Sequence, residues 1–171
     1  MTKRSLLVAV GLLALAACAP PAPPDYAARY QPIVDAYVAG WNTGNLDGLD
    51  AVLAPNFHRR SAGGLNSDDL AGMKKAMTDF RASFPDLKVV IDEGHFLQDT
   101  SFVLWTATGT NTGPGATPPT GKSIKVSGAS LGRYNDGKMV EELVYFDALD
   151  MQQQLGFTLA PPASAGPPAA H

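Results

Sequence analysis

Two carboxylates, one within the last predicted strand and one directly after it, have the types and spacing best suited to chemistry. Counting by twos from Glu141 through Leu143 and Tyr145 reaches Asp147, so alternation places these side chains on one strand face. A solvent face would not carry Leu and Tyr so regularly, which predicts that this face lines a pocket. A carboxylate in an apolar pocket is suited to general acid/base catalysis. The pattern therefore predicts that Asp147 enters the pocket as a candidate functional carboxylate, with Glu141 on the same face.

Both carboxylates also fit purely structural roles. Asp147 precedes a short helical run that stops at Gly156, and Asp is a common residue at a helix N-cap. Glu141 follows a hairpin turn at residues 135–137, which places Arg133 across the hairpin for an ion pair. A catalytic Asp147 and a capping Asp147 are therefore alternatives that the pattern leaves open.

Aromatic and basic side chains complete the predicted pocket wall. His58 precedes two arginines on a short strand that should border the pocket, where basic groups suit an anionic or carbonyl ligand. An exposed strand edge is the alternative for His58. Tryptophans suit ligand stacking, although they are more often core residues. The pocket candidates from these patterns are Trp41, Phe57, His58, Trp105 and Tyr145.

Sequence motifs for several other chemistries are missing. The chain has no Gly-x-Gly-x-x-Gly or Walker pattern, no His-Glu-x-x-His and no Cys/His cluster. Its serines lack a nucleophile-elbow context, and Cys18 is its only cysteine. We expect no metal and no cofactor, and a small molecule as the substrate or ligand.

The charge balance bears on the class of partner. The chain has 13 Lys and Arg and 16 Asp and Glu residues, a net charge of −3. Removing Lys3 and Arg4 with a cleaved leader leaves 11 basic residues and a net charge near −5. Binding to nucleic acid requires basic groups that neutralise phosphates. The composition therefore argues against a nucleic acid partner.

Periodic patterns predict the elements that position these residues. Apolar residues at helical spacing predict helices over 25–39, 46–53 and 68–84. The predicted strands span 57–60, 87–98, 101–111, 123–134 and 139–146. Helices followed by an antiparallel meander are typical of an α+β fold. We predict a cone-shaped, curved antiparallel or mixed sheet packed against three N-terminal helices, with the pocket between them.

Several motifs resemble one known family. Gly-Lys-hydrophobic-x-Glu at 137–141, Asp147, and Gln-Leu-Gly at 154–156 resemble the end of SnoaL-like polyketide cyclases and the related predicted ester cyclases. Residues 37–57 are similar to the opening helix and first strand of that family, and residues 105–113 and 119–122 to its central strands. The resemblance covers about residues 26–156. It implies the cone-shaped fold of the nuclear transport factor 2-like superfamily.

The resemblance also implies roles for individual residues. Asp147 matches the Asp that acts as general acid/base in an intramolecular aldol closure. Asn111 is a further pocket candidate, because it stands where the family often has a His that polarises a carbonyl; Asn donates a hydrogen bond but does not shuttle protons. Leu143 stands where the family usually has Trp, which changes the pocket wall. The resemblance further implies a homodimer, because a second copy commonly covers the open sheet face.

The N-terminus has the pattern of a bacterial lipoprotein signal. Lys3 and Arg4 precede an apolar run over 6–17, which is shorter than the roughly 20 residues that span a bilayer. Leu-Ala-Ala-Cys at 15–18 resembles a lipobox, which predicts acylation of Cys18 and anchoring to the cell envelope. Ala19 is compatible with the outer membrane of a two-membrane bacterium. An ordinary secretory signal with an incidental cysteine is the alternative.

Four segments and two functions follow from these patterns. We expect a signal peptide at 1–17, a Pro-rich tether at 18–24, one domain at 25–159 and a disordered Pro/Ala tail at 160–171. The expected function is a lipid-anchored, cofactor-free acid/base cyclase or isomerase that acts on a small carbonyl compound. The alternative is a non-catalytic cell-envelope protein that binds a small apolar or acidic ligand. A capping role for Asp147 would favour this alternative.

Overall fold

The computed structural model describes residues 24–115 and 118–160 of the chain. The predicted signal peptide, Cys18 lipidation, most of the tether and the tail after residue 160 lie outside the described residues. The helices are α1 (Tyr26–Thr43), α2 (Leu49–Val52), α3 (Leu70–Ser83) and α4 (Ala148–Gln154). The strands are β1 (Leu53–Ser61), β2 (Lys88–Phe96), β3 (Thr100–Thr110), β4 (Ser123–Asn135) and β5 (Lys138–Phe146). None of the described helices is both long enough and apolar enough to span a membrane.

Local capping groups define the ends of the long helices. The Asp25 side chain accepts a hydrogen bond from the Ala28 amide and begins α1, and Asp69 accepts one from the Gly72 amide and begins α3. Helix α1 ends at Gly44, whose φ of 74° suits glycine. It extends beyond the predicted end at residue 39 because Trp41 continues the buried face of the helix.

The five strands form one mixed sheet in the order β1-β5-β4-β3-β2. Strand β1 runs parallel to β5, and the other neighbouring pairs are antiparallel. The apolar core lies between this sheet and the helices, and Phe57, Met73 and Met77 have no exposed surface. The sheet and the three N-terminal helices confirm the predicted α+β fold.

A β-bulge early in β5 decides which side chains face the helices. Arg133 pairs with Glu141 and Tyr134 pairs with Met139, so Val140 is an extra residue on β5. Because an extra residue inverts the alternation of side chains, Glu142 and Val144 are buried beyond the bulge. The face that carries Glu141, Leu143 and Tyr145 is therefore the outer face of the sheet.

Candidate functional site

A cavity of about 240 Å³ lies between the inner face of the sheet and helices α1 and α3. Its wall is mostly apolar and includes Val34, Leu87, Val103, Ile124 and Val126. Trp41 and Trp105, two of the predicted pocket residues, also line it. A mostly apolar wall with few polar groups is typical of a small-molecule site.

Glu142 supplies a carboxylate to this cavity. Its Oε2 accepts hydrogen bonds from the Tyr37 hydroxyl over 2.8 Å and from Arg59 Nε over 2.9 Å. All three residues line the cavity, and the Glu142 side chain is 8% exposed. Charge-assisted hydrogen bonds of this kind are strong and hold the carboxylate in one orientation.

The second oxygen of Glu142 remains accessible to the cavity. Among residues 24–115 and 118–160, none donates a hydrogen bond to Oε1. Every fully buried polar side-chain atom in this part of the chain has a partner, so the unbonded Oε1 must keep some exposed surface, and Glu142 lines the cavity. Glu142 therefore has one oxygen held by the protein and one available to a ligand.

The surroundings of Glu142 change the ionisation of its neighbours. Burial, and then the charge of Glu142, raise the pKa of Tyr37 well above its ordinary value, so Tyr37 stays a hydrogen-bond donor. Burial alone would lower the pKa of Arg59, but the Glu142 charge and the Tyr37 hydroxyl outweigh it and the pKa is raised. Arg59 therefore remains a cation that balances the charge of Glu142.

Two further contacts fix the position of Arg59. Its guanidinium lies 5.7 Å from the centroid of the Trp41 ring, a cation–π contact. Its Nη1 donates to the Leu65 carbonyl, in the loop that joins β1 to α3. The same side chain thus binds the cavity carboxylate and the loop whose Gly63 and Leu65 line the cavity.

Two partly exposed aromatic rings, Trp105 and Phe146, form part of the cavity wall. The Trp105 ring lies directly over Gly128, and the Phe146 ring lies directly over Gly63, so a Cβ at either glycine would collide with a ring. The two ring centroids are 6.0 Å apart. Trp105 Nε1 donates to Ser130 Oγ over 3.0 Å, which fixes the indole. This part of the wall therefore depends on two rings that each pack directly against a glycine.

A second polar group lies in the same cavity. Ser101 Oγ and the Tyr134 hydroxyl are 2.8 Å apart, and Ser101 lines the cavity. Burial raises the pKa of Tyr134 to about 12, while the Ser101 hydrogen bond opposes this shift. Ser101, Gly132 and Glu142 form one cross-strand row on β3, β4 and β5. The row places hydroxyl and carboxylate groups on either side of a glycine.

The prediction that Glu141, Tyr145 and Asp147 face the pocket is wrong, because the bulge at Val140 inverts β5. Tyr145 is 63% exposed. Asp147 is exposed and accepts a hydrogen bond from the Asp150 amide over 2.8 Å, as the N-cap of α4. Glu141 forms an ion pair with Arg133 over 2.7 Å on the outer face. The structure places both carboxylates in the structural roles that were the alternatives.

Three other pocket candidates also lie outside the cavity wall. His58 lies on the outer face and is 2.9 Å from Glu141, because Arg59 takes the inner position on β1. Phe57 is fully buried in the core beneath the cavity wall. Asn111 is buried, and its amide group bonds to the Thr120 amide and the Ser83 carbonyl. Asn111 therefore holds the loop after β3.

The sequence analysis missed Glu142, Tyr37, Ser101 and Ser130 as cavity residues. Tyr37 and Trp41 are one helical turn apart, and this spacing could have indicated a shared polar and aromatic face. Glu142 could have been found only by allowing for a bulge, since strict alternation places it on the strand face opposite to Asp147. The described residues also contain no group of three or more His, Cys, Asp or Glu side chains arranged for a metal.

The chain matches known proteins in both sequence and structure. Residues 31–155 match the family model described as SnoaL-like polyketide cyclase. A candidate SnoaL-like polyketide cyclase from Jannaschia sp. is 21% identical with a TM-score of 0.70, over 84% of this chain and 100% of that one. IdmH from Streptomyces antibioticus, a candidate polyketide cyclase, is 23% identical with a TM-score of 0.64, over 74% and 98%. A candidate polyketide cyclase from Acidithiobacillus ferrooxidans is 26% identical with a TM-score of 0.64, over 74% and 94%. No curated protein matches the chain.

The fold and the enclosed cavity define a nuclear transport factor 2-like domain, and the structural neighbours share this architecture. The chain belongs to the SnoaL-like polyketide cyclase family, since the family model covers residues 31–155. Membership supports a small-molecule substrate and a function of the cyclase or isomerase type.

Proposed function

We propose that this domain catalyses cofactor-free proton transfer on a small, mostly apolar carbonyl compound, and that Glu142 is the acid/base group. The observation that carries the proposal is the accessible Oε1 of Glu142 in an apolar cavity. Among the described lining residues, Glu142 is the one carboxylate. It takes the role that the family resemblance implied for Asp147.

The hydrogen bonds around Glu142 suit this role. Tyr37 and Arg59 hold Oε2, so the position of Oε1 is set before a ligand enters. Arg59 also balances the charge of the carboxylate inside the apolar cavity. Surrounding apolar side chains exclude water and strengthen electrostatic contacts with the substrate.

The proposed reaction begins when Glu142 Oε1 removes a proton from the carbon next to a carbonyl group. The electron pair of that C–H bond moves into an enolate. In a cyclisation, the enolate carbon attacks a second carbonyl carbon of the same molecule, and the new alkoxide takes the proton back. In an isomerisation, the proton returns to a different carbon. Neither route gains or loses electrons overall.

Hydrogen–deuterium exchange at a ketone provides a test without knowledge of the natural substrate. The purified domain is mixed with 2-acetylnaphthalene in deuterated water, and loss of the methyl proton signal is followed by NMR. We expect the protein to accelerate exchange. General-base catalysis contributes roughly 100-fold or more, so Glu142→Gln should remove most of the acceleration.

Glu141→Gln is the matched control for this experiment. Glu141 is the sequence neighbour of Glu142 but lies on the outer face, where it pairs with Arg133. This variant should exchange the ketone protons at the parent rate. Equal loss of exchange in the two variants, or no acceleration by the parent protein, would contradict catalysis by Glu142.

Ligand binding without turnover is the second candidate function. Two observations favour it: Asp147 caps α4, and Asn111 bonds to a loop, so neither family position supplies chemistry in the cavity. The Glu142 charge is also already balanced by Arg59. Tight binding of the ketone with no exchange would support this candidate over the enzyme.

We also propose that the domain is exported and anchored to the cell envelope through acylated Cys18. The support is the lipobox-like sequence at 15–18 after a short apolar run. The expected result is that palmitate labels the full-length chain and does not label the Cys18→Ser variant, which should accumulate as an uncleaved precursor. Labelling of the variant would contradict the anchor.

A homodimer formed through the outer sheet face is a further part of the proposal. Phe102, Leu131 and Leu143 lie side by side in the strand register, and Phe102 is 43% exposed. An exposed apolar patch of this kind is typical of an interface. We expect a dimer by sedimentation at micromolar concentration and a monomer after Phe102→Lys. A monomeric parent protein would contradict it.

A further inference from the structure

We infer that the hydroxyl groups of Ser101 and Ser130 form the site that binds the carbonyl oxygen of the ligand, beside Glu142. This inference rests on the proposal that the cavity takes a carbonyl compound. It assigns ligand-binding roles to two serines that the sequence motifs did not single out. It also defines the polar end of the ligand as a neutral oxygen acceptor.

The register of the strands places both serines next to the carboxylate. Ser101 and Glu142 lie on either side of Gly132 in one cross-strand row, so their Cα atoms are about 10 Å apart. Ser130 is two residues before Gly132 on the same strand, and therefore points to the same face. A Cβ at Gly132 would lie 2.8 Å from Ser101 Oγ, so the glycine lets this hydroxyl lie over the middle strand, on the side of the carboxylate.

Hydrogen-bond counting shows that both hydroxyl sites have a proton to offer. Ser130 Oγ accepts from Trp105 Nε1, which is only a donor, so the Ser130 proton must go elsewhere. The Ser101 and Tyr134 hydroxyl groups have two protons between them, and their mutual hydrogen bond uses one of the two. No residue in the described ranges accepts either proton. A ligand oxygen in the cavity would accept them.

Burial makes these free protons significant. Ser101 is 1% exposed and Ser130 is 9% exposed, and both line the cavity. A buried donor without an acceptor is unfavourable, so a ligand that supplies an acceptor gains affinity. The Tyr134 hydroxyl can donate to Ser101 Oγ, and such a chain of hydrogen bonds polarises the last donor.

The charge in this part of the cavity selects a neutral acceptor. Arg59 is the one cationic side chain among the described residues that line the cavity, and its Nε is already bonded to Glu142. An anionic ligand group near Gly132 would face the Glu142 carboxylate without a free cation to balance it. A ketone or ester oxygen carries no such penalty. Its neighbouring C–H group would then lie towards Glu142 Oε1.

The infrared carbonyl stretch of bound 2-acetylnaphthalene, labelled with carbon-13 at the carbonyl, tests this inference directly. A hydrogen bond to the oxygen lowers the stretching frequency. We expect a lower frequency in the parent complex than in hexane, and an upward shift in both Ser101→Ala and Ser130→Ala. Each variant should also bind the ketone about three- to tenfold more weakly.

Controls separate the carbonyl contact from general effects on the cavity. The hydrocarbon 2-ethylnaphthalene has a similar shape without the oxygen, and its affinity should stay within about twofold in both variants. Ser127→Ala, on the outer face of the same strand, should change neither ligand. Ser130→Thr keeps a hydroxyl, so its complex should retain the lower carbonyl frequency of the parent complex. This variant keeps the test decisive if Ser130→Ala folds poorly.

The outcomes distinguish this inference from the proposed catalysis. A carbonyl frequency that neither alanine variant changes, or a ketone that binds no better than the hydrocarbon, overturns the serine site even if proton exchange occurs. A frequency that rises in both variants supports the site, even if the parent protein catalyses no exchange. In that case the cavity is a binding site for carbonyl compounds and the catalytic proposal alone fails.

Discussion

Arg59 and Glu142 face each other across the parallel strands β1 and β5, and Arg59 Nε lies 2.9 Å from Glu142 Oε2. Both side chains are less than a tenth exposed. The pair joins the first and the last strand of the described chain, which are far apart in sequence. It therefore supports both the fold and the orientation of the cavity carboxylate.

Breaking this pair should destabilise the domain strongly. Arg59→Met leaves the Glu142 charge buried without a partner, which typically costs about 3–5 kcal/mol of unfolding free energy. Urea unfolding at neutral pH measures the loss. The control is Arg60→Met, whose ion pair with Asp68 is exposed and contributes about 0–1 kcal/mol. Similar losses in the two variants would contradict the importance of the buried pair.

Asp147 should behave as a helix cap. Asn is an equally good cap, so Asp147→Asn should keep the stability of the parent, while Asp147→Ala should lose about 1 kcal/mol. Thermal and urea unfolding of the two variants check this. A larger loss for Asn than for Ala would mean that the carboxylate has another structural partner.

Alkaline pH should weaken the fold through its buried tyrosines. The pKa of Tyr134 is about 12 in the fold against 10.0 for the free side chain, and that of Tyr37 is also raised. Between about pH 10 and pH 12 the unfolded chain loses protons that the folded chain keeps, so stability falls as pH rises. The contribution of Tyr134 is about 2 kcal/mol over this range.

Urea unfolding at several alkaline pH values measures this effect. Tyr134→Phe should flatten the decline, and replacement of the exposed Tyr145 by Phe is the control. The idea is refuted if the unfolding free energy of Tyr134→Phe declines with pH as steeply as that of the parent, since the decline would then come from other groups.

Gly63 should control access to the cavity. A methyl group at Gly63 would overlap the Phe146 ring, so Gly63→Ala should displace the ring from the cavity wall. We expect 2-acetylnaphthalene to leave the variant several-fold faster in stopped-flow measurements, because Phe146 no longer closes this part of the wall. Gly48→Ala is the control, since nothing lies within 4 Å of a Cβ at that position. Unchanged release from Gly63→Ala would show that Phe146 does not limit access.

The sequence predicted the arrangement of elements well because each has a strong local signal. Apolar spacing over 68–84 predicted a helix, and α3 spans Leu70–Ser83. The predicted strands at 101–111 and 123–134 lie within one residue of β3 and β4 at each end. Such elements follow from periodicity and turn residues alone.

The face of β5 could not be predicted in this way. Strict alternation from Met139 reaches Glu141 and Asp147, but one extra residue at Val140 moves Glu142 to the inner face. Whether a bulge forms depends on the partners β1 and β4, which alternation within β5 does not contain. Which carboxylate enters the cavity therefore depends on tertiary structure, although the strand that carries it could be predicted from the sequence.

The central claim is that Glu142, and not Asp147, is the acid/base group. The most direct measurement compares ketone proton exchange in Glu142→Gln and Asp147→Asn, at equal ketone saturation. We predict that Glu142→Gln loses exchange by about 100-fold or more, while Asp147→Asn exchanges as the parent does. Loss of exchange in Asp147→Asn with normal exchange in Glu142→Gln would contradict the account, and would return the catalytic role to the helix cap.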